Sequence, residues 1–388
     1  MTTGGDLKRS VFRFVLLIGI VNLFADATYE GARGISGPFL GSLGASAVVV
    51  GIVAGLGELL GYCLRSVSGY VADKSHKYWT LIFAGYAINM LAVPALALAG
   101  AWPLAAGLLV AERTGRAIRR PSVEALIADA GNKIGHGWVF GFNEALDQTG
   151  ATIGPLITAL VLYLHGGFHQ AFAFLLIPAL LCLGTLSAAR FLRSRESEPS
   201  APSPASPQTY SKAYWMYAAA GACFAAGFAD FSLIAFHFRK ANVVSEALVP
   251  VVYSVAMASG AIASLVMGRL LDRRGATISV SAFLLSACAP PLVFLGHLTV
   301  VLAGAVLWGI GLGAQDSLMK ALLARIIPNK RSSAFGLFDT IFGVFWFVGS
   351  ATMGLLYSRS LTTLVAFSVV VQLAALPFLW RAMAVSRP

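Results

Sequence analysis

The chain has 388 residues, of which 57% are hydrophobic and only 12% are charged. Soluble domains carry about 45–50% apolar residues even with Gly counted, and about 25% charged ones, so two or three soluble domains are excluded in favour of an integral membrane protein with many crossings. The net charge of +11 would suit a nucleic-acid partner in a soluble chain, but here basic residues gather at alternate ends of the apolar runs, as the positive-inside bias requires.

In chain order the predicted spans are 11–39, 46–72, 79–99, 102–120, 137–163 and 169–191, then 213–238, 247–271, 277–296, 298–318, 333–357 and 361–383. Each approaches the roughly 20 apolar residues that a helix needs to cross the hydrocarbon. Between the sixth and seventh spans, Leu192 to Gln208 holds Glu196, Glu198, Pro199, Pro202, Pro204 and Pro207 with several Ser. Such a stretch reads as a flexible linker. The expected division is an N-terminal six-helix bundle over 1–191, a cytosolic linker over 192–212 and a C-terminal six-helix bundle over 213–388.

Lys8, Arg9, Lys74, Lys77, Arg116, Arg119, Arg120 and Lys133 are read as cytosolic, as are Arg190, Arg269, Arg273, Arg325 and Arg381; the other side holds little beyond Arg239, Lys240 and Arg359. This asymmetry and the even number of spans put both termini in the cytosol. Cys63, Cys182, Cys223 and Cys288 lie inside apolar runs with no metal spacing and no disulfide framework, so they read as small packing residues. The first apolar run is too long for a cleavable signal and carries acids, and no glycosylation acceptor occurs.

Two stretches at the ends of apolar runs nearly repeat one another. They are Gly69-Tyr70-Val71-Ala72-Asp73-Lys74 and Gly268-Arg269-Leu270-Leu271-Asp272-Arg273. Three weaker matches occur in the same order. Phe24-Ala25-Asp26 matches Phe228-Ala229-Asp230, Glu124–Ala128 matches Lys320–Ala324, and Phe140-Gly141 matches Phe335-Gly336. The last nearly aligns Glu144 with Asp339 and Gly154 with Gly349. Together they indicate duplication of a six-helix unit.

The Gly-x-x-x-Asp-basic stretches resemble the signature loop of the major facilitator superfamily of secondary transporters. The first copy has His76 where that family usually has Gly; the second has its Gly one place early, at Gly275. The resemblance covers almost the whole chain. It implies an all-α membrane protein of twelve transmembrane helices arranged as two six-helix pseudo-repeats; with neither a cleavable signal nor a glycosylation acceptor, the expected location is a bacterial inner membrane. It also implies that Asp73 and Asp272, beside Lys74 and Arg273, help to close the cytosolic side, with Gly69 and Gly268 in the same motif.

An ionisable group inside a bilayer costs several kcal/mol unless paired or hydrated, so each one is a functional candidate. Asp26, Glu30 and Arg33 follow i, i+4, i+7 spacing and share a helical face. Glu58 and Arg65 are also seven apart; Glu112 and Arg113 lie in the fourth span, Glu144 and Asp147 in the fifth, and Asp230, Asp316 and Asp339 in later ones. With a rise of about 1.5 Å per residue, Asp26 and Asp230 each lie roughly 23–26 Å from the cytosolic start of their helices. A carboxyl group in low dielectric favours its neutral form, which suits a proton carrier; the competing reading is structural ion pairing, Glu30 with Arg33 or Glu58 with Arg65.

By resemblance, helices 1, 4, 7 and 10 line a central cavity, which Asp26, Glu30 and Asp230 would face. Glu112-Arg113-Thr114-Gly115-Arg116 is similar to the family's fourth-helix motif, whose Arg is linked to proton coupling; here Arg113 also has Glu112 beside it. Gly150-Ala151-Thr152-Ile153-Gly154-Pro155 allows close helix packing. It also resembles a motif of members that exchange cargo outward for protons, although Leu156 and Ile157 replace its further Gly. Phe24 and Tyr29 flank Asp26 and are the aromatic candidates for contact with cargo.

The expected function is proton-coupled export of a small cationic or zwitterionic organic molecule by alternating access. The alternative is proton-driven uptake of a nutrient or metal chelate. No Gly-x-x-x-x-Gly-Lys-Ser/Thr loop occurs. The six His fall near helix ends without metal spacing, so no enzyme, metal or cofactor is expected, with the proton gradient as the energy source. The expected partners are the cargo and the lipid bilayer, with no nucleic acid, and the expected state is a monomer.

Overall fold

In hydrocarbon every backbone N–H and C=O needs an internal partner, and helices supply one residue by residue. The computed structural model describes residues 4–134, 136–192, 210–274, 277–319, 322–323 and 331–385, and no strand occurs among them. The helices are α1 (Gly4–Ser42), α2 (Ala47–Ser75), α3 (Tyr78–Ala95), α4 (Trp102–Ile134), α5 (His136–Tyr163), α6 (Phe168–Phe174) and α7 (Leu176–Leu192). They continue as α8 (Lys212–Gly227), α9 (Phe231–Lys240), α10 (Val249–Arg274), α11 (Ile278–Ala287) and α12 (Ala289–Leu295). The last three are α13 (Leu298–Ala314), α14 (Arg331–Arg359) and α15 (Leu361–Val385).

Ten segments of the described chain are long and apolar enough to cross a membrane. The charge-rich α4 and the 17-residue α13 complete the twelve-span layout. Helix ends fall close to the predicted ones, with one large exception. The charges of α4 suggest an exit from the membrane near 120, yet the helix continues through Pro121 to Ile134. The two signature stretches lie on the last turns of α2 and α10, not in loops. The predicted linker falls mostly outside the described residues, as do the side chains of Asp73, Gly268, Asp272, Arg273 and Asp316.

The chain forms two units, Met1–Arg33 with Leu64–Ser203 and Gly34–Cys63 with Pro204–Pro388, so α1 and α2 each contribute to both. In the first unit, α1 and α5 touch through glycines. A Cβ on Gly150 would fall 2.2 Å from the Leu23 carbonyl oxygen, and one on Gly154 would fall 2.2 Å from that of Ala27. Nothing larger than Gly fits there, which is how small residues bring membrane helices together.

In the second unit the predicted seventh span is broken. Helix α8 ends at Gly227, Phe228 and Asp230 are extended, and α9 starts at Phe231. The broken backbone is satisfied by distant side chains. Gln372 Nε2 donates to the Gly227 carbonyl at 3.1 Å, and the Ser368 hydroxyl donates to it as well. Trp308 Nε1 donates to the Ala229 carbonyl at 2.8 Å. Phe228, Phe231, Tyr253, Trp308 and Trp346 pack around the break at ring separations of 4.3–6.2 Å.

Candidate functional site

The first unit encloses a cavity of about 100 Å³, room for several waters or a small polar group. Its walls include Asn22, Asp26 and Tyr29 of α1, Arg116 and Arg119 of α4, and Asn143, Glu144 and Asp147 of α5. Asp26 is 9% exposed and accepts a hydrogen bond from the Tyr29 hydroxyl. The i, i+3 spacing of these two residues on one helix brings them together.

A second chain of hydrogen bonds crosses from α3 to α5. The Tyr86 hydroxyl donates to Asn22 Oδ1 at 2.6 Å, Asn22 Nδ2 donates to Asn143 Oδ1 at 3.0 Å, and Asn143 Nδ2 donates to the Asp147 carboxylate at 3.3 Å. The chain of donors ends on a carboxylate oxygen as acceptor. Glu144 accepts from Gln148 at 2.9 Å and is exposed.

Cations are held on α4. Arg116 pairs with Glu30 at 3.7 Å, approaches Glu112 at 4.0 Å, and has its guanidinium over the Tyr29 ring at 4.5 Å. Arg33 lies 4.0 Å from the same Glu30 carboxylate. Arg119 is 5% exposed and stacks over the Tyr86 ring at 4.1 Å, with the Tyr29 ring at 6.0 Å. Its Nε has no hydrogen-bond acceptor.

The sequence candidates therefore separate into groups. Asp26, Tyr29, Glu144 and Asp147 line the same cavity. Glu30 and Arg33 join it through Arg116. Arg113 is paired with its neighbour Glu112 at 3.3 Å, and Asn89 also donates to Glu112 at 2.9 Å. Phe24 and Arg65 are half-buried in the first unit. Glu58, Asp230 and Asp339 belong to the second unit. There Asp230 caps α9, accepting from the Ser232 backbone N–H at 2.8 Å.

Gly150 and Gly154 form the α1–α5 contact beside Asp26, and Thr158 donates to the Pro155 carbonyl at 2.9 Å. Gly69 faces Pro121 of α4 at ordinary contact distance, and Lys74 is exposed over the Tyr70 ring at 5.9 Å. Sequence reasoning missed Asn22, Tyr86, Arg116, Arg119 and Asn143 as site residues. A signal existed: Arg113, Arg116 and Arg120 follow i, i+3, i+7 spacing, and Asn22 sits one turn before Asp26.

A family model described as Major Facilitator Superfamily matches residues 15–350 and, separately, 234–388. The uncharacterized protein Rv2265 of Mycobacterium tuberculosis is 38% identical over 379 residues, covering 95% of this chain and 92% of that protein. An uncharacterized MFS-type transporter of Methanocaldococcus jannaschii is 29% identical over 191 residues, covering 49% of this chain and 47% of its own length. Among solved structures, a peptide transporter of the POT type superposes with a TM-score of 0.77 at 14% identity, covering 100% of this chain and 98% of that one. The nucleoside transporter NupG gives 0.74 at 12% identity, covering 94% of this chain and 99% of that one. At those identities the structural likeness shows the fold.

Proposed function

Because the chain belongs to the major facilitator superfamily, we propose that it is a proton-coupled secondary transporter that exports a small cationic or zwitterionic organic molecule. The chain is an integral membrane transporter working by alternating access, not an enzyme. The observation that carries the finer reading is Asp26, a carboxyl group buried against a polar cavity and held by Tyr29.

A carboxyl group in such a place has two stable occupants, a proton or the cationic group of a cargo. When one replaces the other, cargo and proton move in opposite directions. Tyr29 fixes the acid's rotamer and satisfies one oxygen in either state. Glu30 does not compete for this task, because Arg116 and Arg33 hold it. Asp147 and Glu144 line the same cavity and supply further acceptor oxygens for a cationic group. The energy source is the proton gradient, with no cofactor. Both termini and the 192–212 linker lie in the cytosol, and the working unit is the monomer.

The peptide and nucleoside transporters named above are relatives in fold with small polar cargo in their names, which suits a polar cavity. A stabilisation screen of the purified protein across amino-acid derivatives, amines and metal chelates identifies the cargo, and its flux is then followed in proteoliposomes. Under a pH gradient the cargo is expected to accumulate on the acidic side, and Asp26→Asn is expected to abolish the gradient's effect. Accumulation on the alkaline side overturns export in favour of uptake, and indifference to the gradient overturns proton coupling.

A further inference from the structure

A buried guanidinium that meets no counter-ion is expensive, and natural membrane proteins keep one only where something compensates it. Arg119 is such a group. It is 5% exposed, lines the cavity, and forms no ion pair with a carboxylate among the described residues. Its guanidinium lies over the ring faces of Tyr86 at 4.1 Å and Tyr29 at 6.0 Å, and Nε has no acceptor.

The neighbouring carboxylates are engaged elsewhere. Glu30 and Glu112 meet Arg116, Glu124 pairs with Arg120 at 3.0 Å, Asp147 accepts from Asn143, and Asp26 accepts from Tyr29. Asp26 also acts on Arg119 through space, without forming an ion pair. Stacking on aromatic rings uses the face of a guanidinium and leaves its N–H edge for an acceptor. That edge is a rigid fork matched to two oxygens of one carboxylate or phosphate group.

We infer that Arg119 anchors an anionic oxygen group of the cargo, a carboxylate or a phosphate, so that simple cations are not transported. The inference rests on reading this cavity as the cargo site. It gives the site two ends, a cation-accepting end at Asp26 and Asp147 and an anion-accepting end at Arg119. The Tyr29 and Tyr86 rings hold the fork in place, so little rotamer freedom is lost on binding. Arg120, by contrast, keeps its own carboxylate partner in Glu124 and is not the anchor.

The test uses the purified full chain in detergent and three probes at constant ionic strength: sodium acetate, inorganic phosphate and methylamine hydrochloride, each against matched sodium chloride. Acetate or phosphate is expected to raise Tm in a saturable way; which one does so distinguishes a carboxylate from a phosphate cargo. In Arg119→Gln the half-saturating concentration should rise about tenfold or more, as loss of a charge-assisted hydrogen bond implies. Should that variant not fold, Arg119→Lys keeps the charge but loses the fork, and a smaller rise in half-saturation is expected. A wild-type chain that responds to neither anion beyond chloride overturns the inference, as does unchanged half-saturation in the folded variants. Anion binding without proton-driven flux would sink the coupling proposed above and leave the anchor standing; proton-driven flux without anion binding would sink the anchor alone.

Discussion

The tripeptide Phe-Ala-Asp occurs twice, at 24–26 and at 228–230, and the two copies do different physical work. In the first, α1 runs unbroken from Gly4 to Ser42 and presents Asp26 to a polar cavity. In the second, the backbone leaves the helix and Asp230 turns back to cap α9. The neighbours decide. Leu23 precedes the first copy and Gly227 the second, and Gly lowers the cost of ending a helix. Gly227 also sits where a Cβ would fall 2.7 Å from the Gln372 backbone nitrogen, so α15 approaches closely enough for Ser368 and Gln372 to bond its carbonyl. The same acid thus lines a polar cavity in one setting and caps a helix in the other.

The largest effect is expected where the second copy is made to resemble the first. Gly227→Leu forces a side chain into α15, and loss of the monodisperse peak in size-exclusion chromatography is the expected result. A well-folded variant would show that the break does not depend on this contact. A smaller effect is expected at Asp230. Asp230→Ala removes the cap and should cost about 1 kcal/mol, read as a lowered Tm, while Asn and Ser, equally good caps, should nearly preserve it. Equal Tm values for Ala and Asn would remove capping as the role of this residue.

Ten of the spans are legible as apolar runs of membrane length, and α4 reads as ending at 120 because its charges resemble a cytosolic edge. The same charges hid the site. Counting charges reads Arg116 and Arg119 only as part of a topological bias, whereas the structure places Arg116 against Glu30 and Tyr29 and Arg119 against Tyr86. Asp26 and Tyr29 were readable from local spacing alone. The helix break was not, since its stabilising partners, Trp308, Ser368 and Gln372, lie 79 to 145 residues away along the chain. Arg113 stands out by motif, and the structure adds its ion pair with the adjacent Glu112.

The central claim is that Asp26 exchanges its proton for cargo while Asp230 serves the backbone. Proton release on cargo binding tests it most directly, measured with a pH indicator in weakly buffered detergent solution beside a parallel binding isotherm. The wild-type chain should release protons as cargo binds, and Asp230→Asn should do the same. Asp26→Asn should release none while retaining weakened binding through the Arg119 end. Undiminished release by Asp26→Asn, or its loss in an Asp230→Asn protein that still binds cargo, would contradict the account.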